Sequence, residues 1–505
     1  MVLNSLISLF NIRRLSQIDL FKQDPVHVQK SCLFDLLQKA ALTEWGEKYD
    51  FKSIRTRKEF AERLPIQTYE TLQPCIERTF RGENNILWPE DIKWFAKSSG
   101  TTSAKSKFIP VSKSSLEDCH FRGGKDIIAL YNRNVPDNNM FKGKSLALGG
   151  SHEMSQYNNQ SFYGDLSAIL IENLPFWADF ARTPDASIML MSEWEEKLIK
   201  IADSTINENV TSLAGVPSWF LTLIRHLLDV TGKSNLHEIW PNLELFVHGG
   251  VSFVPYREQY EKLCPRGNMH FMETYNASEG FFGIQDDPND DSMLLMLDYG
   301  IYYEFVPMSE LDSDNPRTLL IDEVEIGKSY AMVITTNGGL WRYMIGDTVT
   351  FTSLLPAKIK ITGRTKLFIN AFGEEIIMDN ATAAMDKACA ATGAEICEYT
   401  AAPIYIADKT KGAHEWLVEF SKEPSSLELF EETLDKELQN VNSDYEAKRY
   451  KDITLDRLKV RLARSGVFYE WLKNKGKLGG QNKVPRLWNT REHIDVLLEL
   501  NNRCR

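Results

Sequence analysis

The stretch WFAKSSGTTSAKSKFIPVS, Trp94 to Ser112, concentrates groups that can hold an anion. Within Ser98–Lys107, ten residues carry six hydroxyls, one glycine and two lysines, with apolar, strand-like residues on both sides. A loop rich in Ser, Thr and Gly offers backbone N–H and hydroxyl donors that converge on an anion, and lysine adds a compact positive charge. The spacing is not a Walker A motif: Gly100 is followed by four residues and then Lys105-Ser106, with no second glycine before the lysine. A GxGxxG run is also absent. On composition alone the stretch is either a solvated hairpin loop or a grip on a polyphosphate.

Three further stretches carry candidate chemistry. In TYNASEG, Glu279 follows a strand and is either a hard oxygen ligand for Mg²⁺ or a glutamate at a helix start. In GLWRYMIGDTVTF, Asp347 after Gly346 sits between apolar segments, where a carboxylate can accept from both hydroxyls of a ribose; Gly-Asp turn chemistry explains it equally well. In GKLGGQNKVPRLW, a glycine-rich basic loop carries Lys477, Lys483 and Arg486. It is either a solvated tail or a mobile loop that delivers charge to a transition state. There is no HExxH and no GxSxG, so zincin and α/β-hydrolase chemistry lose support. His152 and His248 adjoin glycines or a polar turn and are either pocket-lining or structural.

The elements around these stretches indicate a layered α/β protein. Asp24 and Pro25 open a helix whose apolar positions recur through Val28, Cys32, Leu36 and Ala40. Ile92 to Pro110 reads as strand, polar turn, strand, and a helix is expected around Ser114–Tyr131. Pro217 starts and Gly232 stops a buried helix. LELFVHGG reads as a buried strand running into a double-glycine turn, and MHFMETYNASEG as a strand running into a polar turn. Repeated strands whose turns open into helices place ligands at the carboxyl ends of the strands. After residue 364 the texture becomes shorter-ranged α+β, with strands near Glu398–Ala407 and Glu415–Phe420. A helix follows from Ser425, striped by Leu427, Phe430, Leu434 and Leu438. Two domains are expected, 1–364 and 365–505.

Composition excludes other classes. The 505 residues are 43% hydrophobic and 25% charged, enough for a large core. A net charge of −12 argues against a nucleic-acid surface. Seven dispersed cysteines without a CxxC suggest neither a disulfide framework nor a zinc site, and their odd number fits a reducing cytoplasm. The N-terminus lacks a cleavage site, and no apolar run approaches the roughly 18 residues of a membrane span. A cytoplasmic protein without a membrane segment is expected, with a monomer as the assumed state.

Taken together and in this order, SSGTTSAKSKFIPVS, TYNASEGFFG, LWRYMIGDTV and GGQNKVPR resemble the signature segments of the acyl-acid amido synthetases, the auxin-responsive-promoter family. The resemblance extends from LPIQTYETLQPCIERTFRGENNILWP to the C-terminal lysine loop, and the length suggests a bacterial-type member. It implies a firefly-luciferase-like fold: a large N-terminal adenylating domain and a smaller mobile α+β domain. It also implies ATP and Mg²⁺ as cofactors and a two-step reaction, in which a carboxylic acid (aryl, indolyl or fatty) becomes acyl-AMP and is passed to an amine, usually that of an amino acid. By resemblance, Ser98, Ser99, Gly100, Thr101, Thr102, Ser103 and Lys105 form the phosphate loop, with Ala104 where most members have glycine. Gly249, Gly250 and Val251 line the adenine, Tyr275 and Ser278 flank the nucleotide, Glu279 binds Mg²⁺ and Asp347 the ribose. GRTK supplies Arg364 near the ribose and Lys366 as the hinge, and Lys483 contacts the α-phosphate. GIYYEFVP points to Tyr302 for the acyl group, with the Val216–Leu228 helix as a further wall.

An acyl-CoA ligase shares the adenylation step and differs only in its thiol acceptor. A non-catalytic nucleotide-binding regulator is a third reading; Glu279, Asp347 and Lys483 together weigh against it, because mere binding does not require the late lysine.

Overall fold

The structure is a computed structural model that describes residues 2–98, 107–149, 155–158, 160–174, 181–191, 194–251, 253–254, 256–311, 313, 315–365, 368–406, 411–450, 455–475 and 484–502. Local signals set the element ends. The Asp24 carboxylate accepts from the His27 amide at 3.1 Å and opens helix Pro25–Lys39. Helix Pro217–Thr231 begins on its proline and ends at Gly232, whose φ of 65° is the left-handed cap glycine tolerates. Ser426 accepts from the Leu429 amide and opens Leu427–Val441, which buries Phe430, Leu434 and Leu438. The helix expected around Ser114–Tyr131 passes from a π turn over Leu116–His120 into Phe121–Asn134.

Among the described residues an eleven-stranded sheet organises the fold. One half is parallel, in the spatial order Arg182–Thr183, Lys144–Leu148, Val210–Gly215, Leu245–His248, His270–Ala277. The other half is antiparallel and continues through Gly280–Ile284, Met293–Leu295, Ala357–Arg364, Tyr343–Leu354, Ser329–Thr336 and Ile301–Pro307. The expectation of turns opening into helices therefore fits the parallel half alone. Beyond Ala277 the chain turns straight back as a strand. A separate four-stranded sheet pairs Trp94–Ser98 antiparallel with Lys107–Val111.

After strand Ala357–Arg364 the chain forms the short hairpin of Phe368–Ile369 and Ile376–Ile377. A three-stranded sheet of Glu395–Ile404, Ala413–Lys422 and Lys459–Ala463 follows, with helices around it. One buried apolar cluster joins the N-terminal helices to the antiparallel half-sheet; Leu33, Phe60, Trp341 and Phe351 belong to it. A second runs from Leu223 and Phe246 through Tyr256 into Phe372, Trp416 and Phe430, so residues after 365 pack against the parallel half-sheet. No helix among the described residues is long and apolar enough to cross a membrane.

Candidate active site

The hydroxyl-rich stretch is bracketed by a pairing that fixes where it starts and ends. Ser98 and Lys107 face each other at the end of the antiparallel pair. Ser99, Gly100, Thr101, Thr102, Ser103 and Lys105 lie outside the described residues, as do Lys366, Lys477, Lys483 and His152.

Glu279 sits in neither a helix nor a helix start. Ala277 pairs with Gly280, so Ser278 and Glu279 form a two-residue hairpin turn between strands His270–Ala277 and Gly280–Ile284. Burial pushes its carboxyl up to about 7; Lys107 is the main opposing influence and Asp347 adds to the rise. Among the described residues no side chain donates a hydrogen bond to it. Lys107 is itself buried, and burial lowers its pKa against the pull of Glu279. Its ammonium lies 5.6 Å from the centroid of the Tyr69 ring.

Asp347 lies on strand Tyr343–Leu354 directly opposite Arg364. Arg364 Nε approaches its Oδ1 at 2.9 Å, and the Tyr275 hydroxyl donates to its Oδ2 at 2.5 Å. Burial, reinforced by the Asp347 charge, keeps Tyr275 protonated as a donor. Arg364 also reaches Glu375 at 3.2 and 3.3 Å and covers the Phe368 ring at 5.1 Å. Burial works against its charge, but Glu375 and Asp347 outweigh that, and its pKa is raised. Each carboxylate oxygen has two acceptor sites, so Asp347 still has capacity to accept from a ligand.

Gly249, Gly250 and Val251 follow strand Leu245–His248 at the carboxyl edge of the parallel half-sheet. A Cβ on Gly249 would lie 2.5 Å from the Thr274 carbonyl, and Gly250 has a φ of 82°; side chains are excluded at both. This double-glycine turn therefore lies against the strand that carries Tyr275. His248 is buried, with neither ring nitrogen hydrogen-bonded among the described residues, and stacks on Phe253 at 4.0 Å; burial lowers its pKa to about 3.

Three stretches distant in sequence thus converge: the strand pair flanking 99–106, the hairpin turn with Glu279, and Asp347 between Tyr275 and Arg364. The models of one family divide the chain among them. The GH3 family N-terminal domain matches residues 14–269, the central domain 294–364 and the C-terminal domain 379–492. The chain belongs to the GH3 family.

By class it is an acyl-acid amido synthetase. Its GH3 relatives include an indole-3-acetic acid-amido synthetase of Arabidopsis thaliana, 24% identical over 94% of this chain and 91% of the relative. A 4-substituted benzoates-glutamate ligase of Arabidopsis thaliana is 24% identical over 93% and 94%. The solved structure of GH3.15 acyl acid amido synthetase superposes with a TM-score of 0.61 at 20% identity, covering 96% of each chain. A 2-hydroxyisobutyryl-CoA ligase with bound acyl-AMP and CoA shares the fold at a TM-score of 0.54 and 16% identity, over 94% of this chain and 90% of the ligase.

Within this GH3 chain the structure brings together Tyr275, Glu279, Asp347 and Arg364, with Ser278 in the same hairpin turn. Tyr302 is placed elsewhere, buried edge-to-face on Phe60 at 6.0 Å, with Glu304, Arg57 and Arg342 as its charged neighbours. The sequence reading missed Lys107, because two lysines stand in one polar run and only the tertiary fold makes Lys107 an electrostatic neighbour of Glu279. It also missed Tyr343, a buried phenol without a hydrogen-bond partner among the described residues, whose charged surroundings include Glu279, Glu70 and Arg364. Its neighbour Asp347 drew attention in the same motif, but nothing in one dimension marks an aromatic as pocket-lining.

Proposed function

We propose that the enzyme uses ATP to convert an aryl, indolyl or fatty acid to acyl-AMP and passes the acyl group to an amino acid. In the first step the acid's carboxylate oxygen attacks the α-phosphorus and pyrophosphate leaves. In the second the amine nitrogen bonds to the acyl carbon, the bond to AMP breaks, and the amine loses a proton. The observation that carries the reading is the carboxylate of Asp347, aimed by Tyr275 and Arg364, with the partly buried Glu279 in the turn of the hairpin that carries Tyr275.

Asp347 takes the ribose hydroxyls in this reading, and Gly249, Gly250 and Val251 the adenine. Residues 98–103 and Lys105 hold the outer phosphates, joined by Lys107. Lys483 supplies charge to the α-phosphate and Lys366 is the hinge. Domains are assigned as 1–364 and 365–505.

Glu279 fits a Mg²⁺ ligand. The described residues hold no cluster of three or more His, Cys, Asp or Glu side chains suited to a metal, but Mg²⁺ bound to a nucleotide asks for only one or two carboxylates. A partly buried carboxylate raised to about 7, with no side-chain donor among the described residues, gains from a nearby cation. When bound, the ion neutralises charge that develops on the phosphates. The enzyme is taken to be a cytoplasmic monomer.

ATP–pyrophosphate exchange across aryl, indolyl and fatty acids tests adenylation. Supplying the activated acid with an amino-acid mixture or with CoA, and weighing the product, tests the acceptor. An amide is expected; a thioester alone would make the enzyme an acyl-CoA ligase, and no exchange with any acid would revive a binding-only role.

A further inference from the structure

Arg364 is held from beyond the strand that carries it. It ends strand Ala357–Arg364 in the large sheet, but its two Nη groups donate to Glu375 at 3.2 and 3.3 Å. Its guanidinium carbon lies 5.1 Å from the centroid of the Phe368 ring. Phe368 and Glu375 both belong to the hairpin that follows residue 365. Phe368 pairs with Ile377 and Ile369 with Ile376, and Glu375 ends the turn between them. Nε is left facing Asp347, 2.9 Å from Oδ1.

The turn is built to aim Glu375. Its φ of 39° is a left-handed conformation that costs a residue with a side chain energy unless the surroundings impose it. Here the imposing bonds come from both portions of the chain. The Tyr256 hydroxyl donates to the Ala371 carbonyl at 2.8 Å, and the Trp219 indole to that of Phe372 at 3.1 Å. From the C-terminal portion, the Asn489 side chain accepts from the Asn370 amide at 2.6 Å and the Asn442 side chain donates to the Glu375 carbonyl at 3.1 Å. Glu374 folds back onto the Ala371 and Phe372 amides. The side chains of Asp347, Arg364 and Glu375 are only 11%, 19% and 21% exposed, so their pairing is less screened than that of surface charges.

The consequence is a division of the Arg364 donors. A guanidinium fork fits a carboxylate two N–H groups at a time. Released from Glu375, it can turn that fork onto Asp347 and take both carboxylate oxygens, in competition with the hydroxyls of a ligand. Held by Glu375 and Phe368, it makes one contact, and Asp347 keeps its capacity to accept. We infer that Glu375 is a positioning residue for nucleotide binding, reserving the Asp347 carboxylate for a ribose by occupying the Arg364 fork. The inference rests on the ribose assignment above. Because Glu375 follows residue 365 while Asp347 and Arg364 precede it, the seating of this hairpin sets the grip on the nucleotide.

The test compares KM for ATP, 2′-deoxy-ATP and 3′-deoxy-ATP in pyrophosphate exchange with a reactive acid. The parent enzyme is expected to favour ATP over each deoxynucleotide by about tenfold or more, and Asp347→Ala to lose that preference. Glu375→Gln is expected to raise KM for ATP by about tenfold and to change the deoxynucleotides less, so that the preference shrinks. Glu375→Asp, which keeps the charge at shorter reach, should retain part of the preference, and it carries the same comparison if Glu375→Gln does not fold. Equal rises for all three nucleotides, or an undiminished preference, overturn the positioning role while leaving Asp347 on the ribose. No preference in the parent enzyme overturns the ribose assignment and the inference with it.

Discussion

Asp347 and Arg364 stand opposite one another across two antiparallel strands, with the guanidinium Nε 2.9 Å from Oδ1. Strand register, rather than side-chain choice alone, makes this pair. It orients the carboxylate without exhausting it, since Tyr275 takes a lone pair on the other oxygen and each oxygen keeps another. An acceptor aimed in this way is preorganised for a diol, so little ordering remains to oppose binding.

Asp347→Ala is therefore expected to weaken ATP binding more than the chemistry that follows. Losing charge-assisted bonds to two hydroxyls should raise the apparent KM for ATP by about 10- to 100-fold. Tyr275→Phe, which removes one of the two groups aiming the carboxylate, should have a smaller effect in the same direction. ATP titration of the pyrophosphate exchange reaction measures both, and unaltered ATP affinity in Asp347→Ala would remove the ribose assignment.

Glu279 gives a prediction in pH. Its folded-state value of about 7 lies above the ordinary 4.5, so the proton is held more tightly in the folded protein. The stabilisation is complete below about 4.5 and disappears as pH rises to 7. Glu279→Gln removes the penalty of a buried charge. Free of nucleotide, it should be more stable than the parent above pH 7 by about 3 kcal/mol, the difference closing towards pH 4.5. Denaturant unfolding at pH 5 and pH 8 checks the sign. The same variant should require more Mg²⁺ for exchange.

Lys483→Ala tests the late lysine. A contact made chiefly as charge develops on the α-phosphate should cost about 10²-fold in the exchange rate while ATP still binds. Exchange at the parental rate would exclude the role.

What the sequence made legible was local. Asp24 opens its helix and Gly232 ends its own because caps act within a few residues, and Phe430, Leu434 and Leu438 show their stripe because a helix repeats it. Two of the four motifs, TYNASEG and LWRYMIGDTV, meet in the fold, but the sequence does not show their geometry. Tyr275 and Asp347 are 72 residues apart, and their meeting depends on a strand order that runs out of sequence. Glu279 looked equally like a helix start, since a polar turn does not declare whether a helix or a strand follows. Lys107 could not be separated from Lys105 without the pairing to Ser98. Nor does an aromatic strand such as GIYYEFVP reveal which tyrosine meets a ligand: Tyr302 is buried on Phe60, and only the tertiary fold determines that.

Arg342 carries the last prediction. It is buried next to Tyr343 and five residues before Asp347, and its side chain ties this strand to the N-terminal helices. Nε and Nη2 each donate to Glu304 at 2.9 Å, Nη1 donates to the Ala61 carbonyl at 2.8 Å and also to that of Leu64, and Nη2 reaches Thr318 at 3.0 Å. Arg342→Met would strand the Glu304 carboxylate in the core together with two carbonyls, at a cost of about 3–5 kcal/mol. Adding Glu304→Gln removes the unpaired charge, so the double variant should be more stable than Arg342→Met alone. A simple sum of two losses would mean that the pair is not coupled, whereas recovery identifies the buried charge as the source of the damage. Urea unfolding of the two single variants and the double variant distinguishes these outcomes.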